Sequence, residues 1–322
     1  MNENFENNFN EDYLCYIGFP RPDTKIDLIN DFFGLLVHLS GIKCVEKRYT
    51  ERKIPLEYMK ASYKSVGIWI DSFREFFGRW GHNREFPRMV YIENLRIIRI
   101  GRLEFEINKF RGKAVVLKNK LNGTAVAVSE GNVPIGRGGL VNGTNGIWDA
   151  HGTLTFYDEN DSRILAQRIE NGKITKETSE FSKSEWSTVA RQGENSLNLH
   201  IPRGERLDVT AVRESISEAE AFYARYFPER KFKIFECHSW LFDGQLEEML
   251  GENSGIVKFQ KEFCLFPEPL GDFGALVSVF TEAPFDLLEW NPKTTLQRKI
   301  IEHYKNGGKM MGAGGFIMPT KQ

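Results

Sequence analysis

Apolar residues along the first third of the chain recur with the spacing of an amphipathic helix. Ile26, Leu28, Ile29, Phe32, Phe33, Leu35 and Leu36 predict a first helix, capped by Asp23 and ended by Gly41. A second is predicted over 56–77. Tyr58, Met59, Ser62, Val66, Trp69, Ile70 and Phe73 form one stripe, and Gly78 and Gly81 break it. Pro87 opens a third helix, carried through Val90, Leu95 and Ile98. After Gly101 the period changes from helical to two-residue alternation. Leu103, Phe105 and Ile107 alternate with Glu104, Glu106 and Asn108. Short β-rich runs follow at 113–118 and 124–128, separated by the turn pairs Arg111-Gly112 and Asn122-Gly123, so an antiparallel meander is predicted.

Residues 129–152 are crowded with turn signals, among them Gly136, Gly138, Gly139 and Asn142-Gly143. Gly136-Arg137-Gly138 lacks a third glycine and does not sit between a strand and a helix. Surface turns or a domain junction therefore suit it better than a phosphate cradle. Strands are predicted at 153–157, 163–168 and 196–201. The loop 202–207 leads to Asp208, a helix N-cap, and to a helix with Val209, Val212, Ile216, Ala219, Tyr223 and Tyr226 on one face. A strand at 232–240 precedes a short helix around Leu246, Met249 and Leu250, opened by Asp243 and stopped by Gly251. Strands at 257–266 and 275–280 and a helix at 294–304 complete the pattern. The fold class is α+β. The expected divisions are a helical and β-meander region at 1–137, a second domain at 138–285, and a helix and tail at 286–322.

Charge and composition narrow the function. Lys and Arg number 43 against 44 Asp and Glu, a formal charge of -1, so no global field gathers polyanions and no nucleic-acid partner is expected. The most apolar long stretch, 26–42, holds Asp27, Asn30, Asp31 and His38, which argues against a membrane span. The Asn-rich, acidic start lacks the basic and apolar regions of a signal peptide. Cys15, Cys44, Cys237 and Cys264 form no CxxC pair. A reducing, cytoplasmic setting is expected. Aromatics, at 13%, supply a large core and material for a ring-lined pocket.

The C-terminal order is strand, loop, helix, strand, helix, strand, strand. It resembles the second half of the GNAT superfamily, the acyl-CoA-dependent N-acyltransferases. Five segments carry a closer likeness: Gly101-Arg-Leu-Glu-Phe-Glu106, His200-Ile-Pro-Arg-Gly204, Tyr226-Phe-Pro228, Cys237-His-Ser-Trp-Leu-Phe-Asp243 and Gly312-Ala-Gly-Gly-Phe316. They resemble a bacterial group of two-domain acyltransferases with a helical N-terminal domain and a GNAT-like C-terminal domain. That resemblance implies a mixed sheet with a β-α-β crossover, in which strands 196–201 and 232–240 splay around the acyl-pantetheine arm. It implies acyl-CoA or acetyl-CoA as co-substrate, with its pyrophosphate on the loop and helix start that hold Arg203, Gly204, Arg206 and Val209. The usual loop reads Arg/Gln-x-x-Gly-x-Gly/Ala. From Arg203 this chain reads Arg-Gly-Glu-Arg-Leu-Asp, and Glu205 and Asp208 bring negative charge to a place meant for phosphates.

Acyl transfer to an amine needs a base near the splay, and His200 ends the first of the two strands. Strand alternation puts Glu236 and His238 on one face with Phe232, Ile234 and Trp240, and Cys237 and Ser239 on the other. Glu236 and His238 form either an acid–base pair supporting His200 or a structural ion pair. His200 itself is either the base or a histidine bonding a neighbouring strand. Cys237 as nucleophile lacks an adjacent base on its face. Ser239 has no GxSxG elbow. The six histidines show no HExxH pattern, so no metal is expected. Trp69, Phe73, Phe76, Phe77 and Trp80 form core or one wall of an acceptor pocket. The leading expectation is acyl transfer from acyl-CoA to a small-molecule or peptide amine. The alternative is a catalytically inactive GNAT-like ligand-binding or scaffold protein.

Overall fold

A computed structural model describes residues 28–82, 86–280, 287 and 290–320. Cys15, the cap at Asp23 and the apolar Ile26 lie outside the described residues. So do the side chains of Leu28, Ile29, Phe76 and Phe77.

Among the described residues four helices come first: α1 (Leu28–Ser40), α2 (Ile42–Glu51), α3 (Leu56–Phe77) and α4 (Phe86–Glu93). The α3 stripe behaves as its periodicity predicts. Gly78 closes the helix in the left-handed region, φ 66°, where a side chain is strained. Gly41 ends α1 but also serves as the N-cap of α2, a helix the pattern does not announce because Val45 and Tyr49 alone are buried. The third predicted helix is shorter than expected. Leu95 turns left-handed, φ 57°, and Ile98 belongs to strand β1 (Ile97–Ile100), buried at every position.

The first sheet has six strands in the order β1, β2 (Leu103–Lys109), β11 (Asn195–His200), β12 (Ile234–Ser239), β14 (Gly312–Ile317), β13 (Cys264–Leu270). β11 and β12 are parallel; every other neighbouring pair in it is antiparallel. The crossover between them is α5 (Val209–Tyr226), capped by Asp208, whose carboxylate accepts from the Ala211 amide at 3.1 Å. The second sheet runs β10 (Trp186–Ala190), β3 (Ala114–Asn119), β4 (Ala125–Ser129), β8 (Arg163–Glu170), β7 (Tyr157–Glu159), with β9 (Lys173–Ser182) also on β8. It is antiparallel throughout. The expected meander is therefore divided. β2 pairs with β1 and β11, whereas β3 and β4 belong to the other sheet. The strand expected at 153–157 is likewise two pieces. β5 (Pro134–Ile135) and β6 (Thr153–Leu154) form a small pair of their own beside β7. Residue 137 falls just after β5, and the first sheet takes strands from both sides of it.

One predicted strand is a helix and another is a helix over its first part only. Residues 257–266 divide into α7 (Gly255–Gln260), capped by Ser254, and the start of β13. Residues 275–280 lie in α8 (Phe273–Phe280). The segment FGALVSVF is apolar nearly all round, and a short apolar run does not distinguish strand from buried helix. The sheet position is filled instead by β14, whose Gly-Ala-Gly-Gly run carries little strand propensity. Gly314 is needed there, because a Cβ would lie 2.1 Å from the Phe266 ring. α6 (Leu246–Leu250) and α9 (Thr295–Lys305) follow their predicted spans, α9 with a full capping box at Thr294. Phe232 and Trp240 pack on the core face opposite Ile234 rather than beside it. Among the described residues, no helix is long and apolar enough to cross a membrane.

Candidate functional site

The register of β11 and β12 defines the site. They pair over three positions, Ser196 with Ile234, Leu197 with Phe235 and Asn198 with Glu236. Beyond that point β11 continues against β2 alone, Leu199 facing Phe105 and His200 facing Glu104. β12 continues against β14, with Cys237, His238 and Ser239 opposite Gly315, Gly314 and Ala313. The strands thus part at their C-terminal ends. Into the gap opens a cavity of about 750 Å³, lined by His200, Arg203 and Gly204 from one side and His238, Ser239 and Trp240 from the other. Helix α3 adds Ser65, Trp69 and Phe73, and α8 adds Phe273, Gly274 and Val277. Trp80 stands outside this lining, half exposed.

The loop after β11 is held from below. Arg102, buried in the β1–β2 turn, donates to the carbonyls of Pro202 and Glu205 at 2.8 Å each and of Arg206 at 3.2 Å. Burial lowers its pKa, opposed by the Glu205 charge. The Glu205 carboxylate pairs with buried Arg99 at 2.9 Å, which offsets its charge beside the loop. Gly204 has φ 100°, a conformation that favours glycine. Arg203 lies 3.5 Å from Glu75 on α3. Arg203 and Gly204 line the cavity, whereas Arg206 and Val209 are outside its lining.

The two histidines of the gap sit in opposite environments. His200 Nε2 is 2.8 Å from Glu106 Oε2, and its side chain keeps 24% exposure toward the cavity. Burial, then nearby Arg88, lower its pKa, and the Glu106 hydrogen bond does not restore it. His200 is therefore neutral at pH 7. His238 is clasped on both nitrogens, Nε2 to Glu236 at 2.8 Å and Nδ1 to Glu268 at 2.7 Å. Burial pulls its pKa down, but the two carboxylates outweigh burial and raise it to about 9. Both ring nitrogens donate, so this ring is an imidazolium. Glu236 is fully buried. It accepts from Ser196 and the Arg111 amide as well as His238, and makes no hydrogen bond to His200.

The partner of His200 is thus Glu106, which sequence reasoning placed on a polar strand face but did not connect to the site. Arg96 donates to its other oxygen at 2.7 Å. Burial raises the Glu106 pKa, but His200 and Arg96 together lower it on balance. Glu104, next along β2, holds Ser65 of α3 and pairs with Arg88 of α4 at 2.9 Å. Glu104, Glu106, Arg102 and Glu268 all act through cross-strand or loop contacts. Their one sequence signal was the pair of carboxylates alternating along β2. His82 also lines the cavity, against Trp69 at 5.8 Å between centroids, with both ring nitrogens buried and without a side-chain or backbone partner among the other described residues. Burial pushes its pKa down to about 4. Cys237 is buried, and burial, then the Glu236 charge, push its thiol pKa far up. Among the described residues no group of His, Cys, Asp and Glu is arranged to hold a metal ion.

A mixed sheet whose parallel pair splays after a β-α-β crossover, with an arginine-held loop at the crossover helix, is a GNAT-like architecture. The chain belongs to the GNAT-like C-terminal domain family, which its sequence matches over residues 97–317. Solved structures of similar fold are acyltransferases. One, in complex with decanoyl-CoA and teicoplanin, has a TM-score of 0.60 and 22% identity over 89% of this chain and 66% of that one. Another, in complex with decanoyl-CoA, has a TM-score of 0.61 and 19% identity over 95% and 74%. A third, a variant with octanoyl-CoA, has a TM-score of 0.60 and 22% identity over 90% and 67%. This chain thus spans about two thirds to three quarters of their length. No curated protein matches the sequence.

Proposed function

We propose that the chain transfers an acyl group from acyl-CoA or acetyl-CoA to an amine, on a small molecule or peptide, by direct attack on the thioester. The observation that carries this reading is the parting of β11 and β12 beyond Asn198 and Glu236, with a cavity opening into the gap. The pantetheine arm lies between the strands. The pyrophosphate rests on Arg203, Gly204 and Arg206 and on the α5 amides from Val209, where the helix dipole favours anions. Acyltransferases of this fold hold CoA, octanoyl-CoA or decanoyl-CoA, one with teicoplanin and another with 10C-teicoplanin, which supports a thioester donor and an amine-bearing acceptor.

His200 is the general base. Its Nε2–H donates to Glu106, so the neutral ring offers the Nδ1 lone pair to the acceptor ammonium. The freed amine attacks the thioester carbonyl, the C–N bond forms and the C–S bond breaks. His238, held protonated by Glu236 and Glu268, gives up one of those hydrogen bonds to hand a proton to the departing sulfur, and takes in exchange the proton left on the attacking nitrogen, while His200 releases its proton to solvent. Its pKa of about 9 is close to that of a free thiol, about 8.5, a workable match for that transfer. Two titrating groups pushed apart by their surroundings divide the acid and base roles. The protonated, buried Cys237 argues against an acyl-enzyme.

CoA and acetyl-CoA should raise the melting temperature. A ligand at 100 times its dissociation constant adds about 2.7 kcal/mol to the native state. The absence of any shift at millimolar concentration overturns the reading. The altered phosphate loop, with Glu205 and Asp208, favours a second reading: a binding or scaffold protein that keeps the fold without catalysis. Tight CoA binding with no turnover across a panel of amines selects that one.

A further inference from the structure

The cavity has two chemically different walls, set by the order of the strands. Helix α3 stands over the β1 side of the gap, and that wall, with α4 and the β1–β2 hairpin, carries Ser65, Ser72, Arg88, Arg102 and Glu104 beside the rings of Trp69 and Phe73. Helix α8 packs on the turn after β12, on the opposite side. Apart from His238, that second wall carries no charged side chain among the described residues. It consists of Trp240, Leu241, Ile256, Leu270, Phe273 and Val277 with small neighbours.

His200 belongs to the polar side, since its strand partner Glu104 is held by Ser65 and Arg88. An amine delivered to His200 therefore comes along the α3 wall. The acyl chain, on the far side of the same carbonyl, has the α8 wall before it. We propose that the α8 wall is an acyl-chain site that favours a medium-length aliphatic thioester, and that Gly274 sets how long a chain it admits. This rests on the acyltransferase reading above.

Gly274 carries the length argument because of what surrounds it. It lies on the first turn of α8 and lines the cavity. A Cβ built on it would meet Trp240 Cδ1 at 3.9 Å, an ordinary contact, and no other atom of the described residues within 4 Å. A side chain there would grow into the cavity alongside Trp240 rather than into packed protein. Val277, one turn on, is buried. Gly274 is not required by the backbone, as its φ is not in the left-handed region. Larger residues at this position are better helix formers than glycine, so the substitution does not threaten the fold.

The test is a calorimetric binding series on the full chain with CoA, acetyl-CoA, hexanoyl-CoA and decanoyl-CoA. Each methylene buried on an apolar wall is worth roughly a fourfold gain in affinity. Wild type should therefore bind decanoyl-CoA at least tenfold tighter than acetyl-CoA. In Gly274→Leu that ratio should collapse toward one, and Gly274→Ala should fall between. Equal affinities across the series in wild type, with CoA itself binding, overturn the acyl-chain site and leave the acyltransferase reading standing. A wild-type preference that Gly274→Leu does not reduce overturns the role of Gly274. Failure of CoA to bind overturns both.

Discussion

At the scale of single residues, the site turns on what faces each histidine. His200 has one carboxylate and a cavity, so it is neutral and basic at one nitrogen. His200→Gln should lower kcat on the order of 10²-fold, the lower range for lost acid–base catalysis, while CoA affinity stays similar. A variant with wild-type turnover returns His200 to a structural role. His238 and His82 make a separate prediction through stability. His238 titrates at about 9 in the native state, above the ordinary 6.5, so folding takes up a proton between those values. Its contribution is complete below about pH 6.5 and is lost as pH rises through 9. His82 has the opposite sign. Its native pKa of about 4 means the unfolded chain binds a proton that the native state refuses, so stability falls as pH drops from 6.5 toward 4. The melting temperature should therefore peak near neutrality, and His238→Gln should flatten the alkaline limb. An unchanged slope between pH 6.5 and 9 in that variant would falsify the clasped imidazolium.

At the scale of elements, the β1–β2 turn and the β11–α5 loop act as one unit through Arg102. Its three bonds to loop carbonyls are all made by a buried guanidinium, so Arg102→Ala leaves those acceptors without their donor. The variant should lose CoA affinity by at least tenfold and also melt lower. Arg203→Ala with Arg206→Ala should weaken CoA binding with nearly unchanged melting, because both side chains are exposed. Equal melting losses in the two variants would show that Arg102 does not organise the loop. The same elements mark what the sequence made legible. α3 and α5 are legible because each carries a helical period with its own glycine stop or cap, and β11 and β12 because they are short runs bounded by the Pro202 loop and by the end of α5 before Pro228. β14 and α8 were not, one being glycine-rich and the other apolar on all sides. His200 and His238, which line the cavity, could be singled out because each stands near the end of a strand legible by itself, and their catalytic roles remain part of the proposal. Glu106, Glu268 and Arg102 were hidden because their roles depend on register between strands far apart in the chain.

At the scale of the whole molecule, the helical region and the GNAT-like sheet share one core. Val45, Tyr49 and Met59 of α2 and α3 are buried in the same cluster as Ile98 and Phe105 of the first strands and Tyr223 of α5. Polar ties reinforce it: Tyr58 donates to Glu218 at 2.8 Å, and Arg52 pairs with Glu229 at 2.9 Å and lies 4.5 Å from the Phe227 ring. The second sheet joins through another shared cluster, in which Phe110 and Phe266 meet edge to face at 5.6 Å beside Val116 and Ile169. A division of the chain near residue 137 would separate strands β1 and β2 from β11, to which β2 is paired over six positions. The expected outcome is a single calorimetric unfolding transition for the full chain, with calorimetric and van't Hoff enthalpies in agreement. A chain starting at β1 should be poorly soluble, since Ile98, Leu103 and Phe105 lose the covering helices. Two resolved transitions, or a stable well-folded fragment beginning near residue 138, would instead establish independent domains and make the α3 wall of the cavity a docked surface rather than part of the core.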